Sequence, residues 1–241
     1  MVNRSDQGLG GIRGPIITPI AVCLLSFVLP ALVMTLSTMI FKWNTDYQFA
    51  HLYIIGTIGQ LLMDLPAVIL INRLCNKLGD ETGVKNKTRD RVFSTVVGIV
   101  CAILLAAIRI LATGKLMGGR FMGGVPAFTQ SLGLESPWNI IAAVMALLAY
   151  GPGEALFVVY LILAFDKAVG NPRSFFSRGV IITSILWALP HVFNVIYFGV
   201  SAIPNVVIMF FIGIVMGILL KKTRSSLGPM IFWTLVNGTS A

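Results

Sequence analysis

Charge is what this chain has least of. Only 11% of its 241 residues are Asp, Glu, Lys or Arg, where a soluble globular domain carries about 25%. So little charge cannot cover a water-facing surface, which excludes a soluble enzyme, a disordered chain and a nucleic-acid-binding domain. Acidic residues are the scarcer sign, 9 against 18 Lys and Arg, for a net charge of +9. In a membrane protein such an excess collects in cytoplasmic loops, so it reads as topology rather than as a surface for nucleic acid. Cysteine is nearly absent too. Cys23, Cys75 and Cys101 are odd in number, lack metal-ligand spacing and include two inside apolar segments. Neither a disulfide framework nor a zinc finger is expected.

Apolar residues fill the space that charge leaves: 56% of the chain, with a mean hydropathy of +0.89. They gather into seven segments, approximately Pro15–Phe41, His51–Ile71, Val92–Leu111, Asn139–Phe165, Val180–Phe198, Ile203–Leu220 and Leu227–Gly238. Most reach the ~20 residues that carry a helix across ~30 Å of hydrocarbon. The first is too long for a signal-peptide core and is read as a retained helix. The last is the shortest. Between them the basic residues alternate. The N-terminal tail and the second, fourth and sixth connections hold fourteen Lys and Arg, against three (Lys42, Lys115 and Arg120) in the odd-numbered connections. The spacing therefore predicts an all-α, polytopic membrane bundle of about seven transmembrane helices with its N-terminus inside. One domain is expected over 1–241, with 1–138 supplying N-terminal helices and loops. The plasma membrane is the expected location, since no targeting segment stands out. A charged inner loop is read at Asn72–Arg91, and a glycine-rich outer one at Ala112–Pro137.

A polar side chain within hydrocarbon is costly and marks a functional candidate. The candidates are Gln60, Asp64, Arg109, Glu154, His191, Asn194 and Asn237. Arg109 lies near the outer surface, where it can snorkel to the headgroups. Gln60 and Asp64 stand four apart on one helical face, either lining a cavity or bonding helices together. Glu154 and His191 fall on neighbouring, oppositely directed segments, each about 12 residues, or roughly 18 Å, from the inner end. Asn237 reaches a similar level. Two readings stand for this trio. One is a polar knot that fixes helix register. The other is a site in which Glu154 is a general base for water, His191 orients or donates, and Asn237 supports the oxyanion.

The segment from Gly153 to Leu161 resembles the first motif, roughly EExxFRGYL, of the CAAX-protease and bacteriocin-processing (CPBP, or Abi) family, with Glu154, Phe157, Tyr160 and Leu161 in place. Trp187 to His191 is similar to the family's FxxxH motif, and Trp233 to Asn237 to its HxxxN motif. The resemblance covers 139–241. It implies an intramembrane endopeptidase that acts on lipidated or membrane-associated peptides through Glu154, His191 and Asn237. The sequence departs from the pattern at Gly153 for the first glutamate, Val158 for the arginine, Trp187 for the phenylalanine of FxxxH and Trp233 for the second histidine, among other positions.

A catalytic zinc wants three protein ligands. Glu154 and His191 supply two and Asn237 is a poor third, so no cofactor is expected and zinc enters by family analogy alone. The expected partners are the lipid bilayer and a membrane-associated peptide or protein, and no nucleic acid. A catalytically inactive relative that serves as a binding or scaffold subunit is the alternative. A small transporter with Asp64, Glu154 and His191 on a proton path is a third reading, but no paired broken helices in repeated halves support it.

Overall fold

The protein is described from a computed structural model covering residues 16–24, 32, 60, 61, 64, 88–113, 138–169 and 174–239. Regular structure among these is helical throughout, without strands. Most of the first two apolar segments, most of the charged loop at 72–91, Cys75 and all of the glycine-rich loop after Thr113 lie outside the described residues.

Helix α1 (Thr88–Thr113) covers the third apolar segment and extends it at both ends. The fourth segment is divided: α2 (Trp138–Leu148) runs into a π-helical turn (Ala149–Gly153), and α3 (Glu154–Val169) follows directly. The fifth, sixth and seventh segments become α4 (Arg178–Phe198), α5 (Ile203–Thr223) and α6 (Leu227–Thr239), with a 3-10 turn (Gly199–Ala202) between α4 and α5. Within this set, Thr88–Ile108 and Gly199–Thr223 are long and apolar enough to cross a membrane; Arg178–Val192 and Leu227–Asn237 are shorter apolar helices.

Burial ranks the helices. The residues of α3 from Phe157 to Leu163 are buried on every side, the mark of a central helix. Helix α1 is the opposite case. Val92, Val96, Ile99, Val100 and Ile103 are exposed, and an apolar face of this kind suits lipid rather than water. Helix α4 packs on α5 and on α3, while α6 packs on α1, α5 and the π turn. The α4–α5 approach depends on Gly213 and Gly217, four apart on α5. A Cβ on Gly213 would fall 2.8 Å from Ser184 Oγ, and one on Gly217 2.5 Å from Val180 Cγ1. Small residues at this spacing let helix backbones come close, which is the main route to tight helix pairing where no hydrophobic effect drives association.

Buried polar contacts pin the helix ends. Ser177 caps α4, its side chain accepting from the Val180 N–H at 3.3 Å. Asp166, at the far end of α3, accepts from the Gly179 N–H at 2.9 Å and takes a hydrogen bond from Lys221 Nζ on α5. A carboxylate at the first turn of α4 also suits the positive end of that helix. One carboxylate thus joins α3, α4 and α5. Lys221, which the sequence pattern assigns to a connection, lies within the last turn of α5 and is buried. Beside it, Ser94 Oγ of α1 accepts from the Gly228 N–H of α6 at 2.6 Å and pairs with Thr223 Oγ1 of α5 at 2.7 Å. Between α5 and α6 the chain turns through Arg224, whose φ of 55° is left-handed.

Candidate active site

Glu154 is the first residue of α3, and the π turn decides how it is presented. In an uninterrupted α-helix its N–H would bond to the Tyr150 carbonyl. Pro152 lies within the turn, and the Glu154 N–H reaches the carbonyls of Ala149 and Gly151 instead. The Tyr150 carbonyl accepts from Asn237 Nδ2 of α6 at 2.6 Å. π-bulges of this kind are rare and are found often at functional sites.

The same asparagine reaches the carboxylate. Asn237 Nδ2 stands 3.3 Å from Glu154 Oε2, and Trp233 Nε1, one turn earlier on α6, donates to that oxygen at 2.7 Å. Two N–H groups of one helix therefore converge on one oxygen of a half-buried carboxylate. The amide's two hydrogens serve Tyr150 and Glu154. Trp233 also packs edge-on against Trp187 of α4, with ring centroids 5.9 Å apart. Trp187 stands 6.5 Å from the His191 ring, and His191 Nδ1 lies 3.3 Å from the Trp187 carbonyl. Glu154, Asn237 and His191 are thus gathered around a pair of tryptophans. The indole N–H of Trp187 is buried and has no partner among the described residues.

Asp64 enters from the second apolar segment. It is buried and accepts from Gln60 Nε2 through Oδ1 at 3.4 Å. Its carboxylate lies over Gly153 and interacts electrostatically with Glu154. The side chains of Arg109 and Asn194 lie outside the described residues.

The donor set does not fit a zinc ion. Glu154 Oε2 faces an indole N–H and an amide N–H, which are hydrogen-bond donors and not metal ligands. No group of three His, Cys, Asp or Glu side chains able to hold a metal occurs among the described residues. The arrangement is suited to holding and moving a proton.

The motif pattern marks Trp233 only as a departure from histidine, yet it keeps an N–H directed at the glutamate. Spacing on the HxxxN pattern already pointed to that place. The Gly-Pro-Gly run at 151–153 was the available signal for the break before Glu154.

Residues 135–239 match the model of a family described as type II CAAX prenyl endopeptidase Rce1-like. The match takes in the π turn, Glu154, His191, Trp233 and Asn237, so the Rce1-like region and the polar cluster are the same part of the molecule. No curated protein and no solved structure matches the chain.

Proposed function

We propose that this protein is a membrane-embedded endopeptidase of the CAAX-protease type that cleaves lipidated or membrane-associated peptides, with Glu154 as the base that activates water. The observation that carries the reading is the convergence of Trp233 and Asn237 on Glu154 Oε2 within the Rce1-like region. A carboxylate held in one orientation by two donors is set to accept a proton from water in a fixed direction.

In this reading Glu154 takes one proton as the water oxygen bonds to the carbonyl carbon of the scissile peptide. The C–N bond then breaks and the proton passes to the departing amine, so the step balances with no further reactant. His191 assists that transfer from α4. Asn237, with its amide committed to Tyr150 and Glu154, positions the carboxylate in place of the oxyanion role expected from the sequence. The N–H of Trp187 is the donor assigned to the carbonyl oxygen. The seven spans, an N-terminus in the cytoplasm and the plasma membrane complete the proposal, supported by the alternation of basic residues.

The test is cleavage of a fluorogenic prenylated peptide by the purified protein in liposomes. Wild type is expected to cleave, and Glu154→Gln and His191→Ala to lose on the order of a hundredfold or more. Equal cleavage by all three, or none by wild type, overturns the reading.

A further inference from the structure

A carboxylic acid seldom sits against the backbone of another helix without a reason, and Asp64 does so at Gly153. The side chain is 2% exposed, and its Oδ2 is buried without a hydrogen-bond partner among the described residues. A Cβ on Gly153 would fall on that oxygen, and would also lie 2.8 Å from the Leu148 carbonyl. Position 153 is therefore small because a carboxyl group occupies the space that a side chain there would take. The next residue along the chain is Glu154, and the two acids feel one another electrostatically. Leaving a buried polar oxygen unpaired costs about 1–3 kcal/mol, and neighbouring carboxylates resist ionising together. One proton held by the pair relieves that repulsion.

We propose that Asp64, brought by the second apolar segment into the space left by Gly153, is the second carboxyl of the site and shares a proton with Glu154. The pair rests with one proton between its two acids; as water attacks, Glu154 takes a second, which passes to the departing amine and returns the pair to one proton. Gln60, through Asp64 Oδ1, fixes the orientation of the partner acid. This inference rests on the hydrolytic reading above, and it adds a helix outside the Rce1-like region to the working site.

The test combines three variants in liposomes with the same fluorogenic prenylated peptide. Asp64→Asn keeps the shape and removes the acid; a loss of about a hundredfold in cleavage with unchanged Tm is expected. Asp64→Gly with Gly153→Asp returns the acid from the other helix and is expected to recover at least tenfold over Asp64→Gly. Asp64→Gly with Gly153→Ala refills the space without an acid and is expected to recover Tm but not cleavage. Wild-type cleavage by Asp64→Asn, or equal recovery by the two double variants, overturns the pair. Infrared difference spectra keep the pair testable apart from cleavage. The carboxylic-acid C=O band is expected to vanish in Asp64→Asn and to move in Glu154→Gln. Should wild type fail to cleave, the hydrolytic reading falls while these spectra still decide on the pair; bands unmoved by either substitution overturn it.

Discussion

The indole N–H of Trp233 donates to Glu154 Oε2 at 2.7 Å, closing a contact between residues 79 positions apart in the chain. It ties the start of the central helix to the middle of the last one. At the same time it turns a bulky aromatic residue into part of a polar site, which its neighbours Trp187 and Phe232 would not lead one to expect.

Removing that donor while keeping the ring tests its worth. A hydrogen bond to a charged group contributes about 1.5–3 kcal/mol, and each 1.36 kcal/mol is about tenfold in rate. Trp233→Phe is expected to lower kcat/KM about ten- to hundredfold with little change in Tm. Trp233→His, which retains a ring N–H, is expected to fall between Phe and wild type.

Trp187 is the complementary case. Its N–H is buried with no partner among the described residues, so Trp187→Phe removes an unpaired group and should leave Tm unchanged or raise it. Cleavage is expected to fall, with the loss in kcat rather than in KM, because the donor acts only as charge develops on the carbonyl oxygen. Steady-state kinetics on the prenylated peptide separates the two.

Asp166 and Lys221 form a buried ion pair, with side chains 0% and 2% exposed. Breaking such a pair by removing one partner costs about 3–5 kcal/mol. Asp166→Ala and Lys221→Ala are each expected to lower Tm sharply in detergent. The double variant Asp166→Leu with Lys221→Met is expected to cost less than either single change.

Gly98 of α1 faces the backbone of Gly228 on α6, where a Cβ would lie 2.7 Å from the Gly228 carbonyl oxygen. Gly98→Ala should destabilise the protein by about 1–3 kcal/mol. The neighbouring change Val96→Ala, on the exposed face, is expected to stay within about 0.5 kcal/mol. Thermal unfolding followed by helical circular dichroism compares the two.

The proposed sidedness has its own check. Cysteines introduced as Phe175→Cys and Arg224→Cys should react with an impermeant maleimide only from the inner face. Val200→Cys, in the turn between α4 and α5, should react only from the outer face. The reverse pattern would turn the bundle over.

Much of the described helical framework was readable from the chain because length, hydropathy and punctuation agree. Ser177 caps α4 and Gly199, with a φ of 69°, ends it, so the segment from Val180 to Phe198 could hardly lie elsewhere. The division of the fourth segment has one signal in the chain, the Gly-Pro-Gly run at 151–153. Hydropathy alone is continuous across it, and the shift in hydrogen-bond register that takes the Glu154 N–H to Ala149 is a property of the backbone. For the site, shared depth placed Glu154 and Asn237 near one another, since depth follows from counting residues. Partners across the bundle do not. Asp64 showed only its local neighbour Gln60, because helical spacing exposes contacts four residues apart and hides those that depend on how helices pack. Lys221 likewise looked like a loop charge, since nothing near it in the chain announces Asp166.

That last contact bears on how the molecule is made. Asp166 is made 13 residues before the capping N–H of Gly179 and 55 residues before Lys221. The tie that fixes the end of α3 to α5 therefore closes only after α5 has been synthesised, so the most deeply enclosed helix takes its final place late.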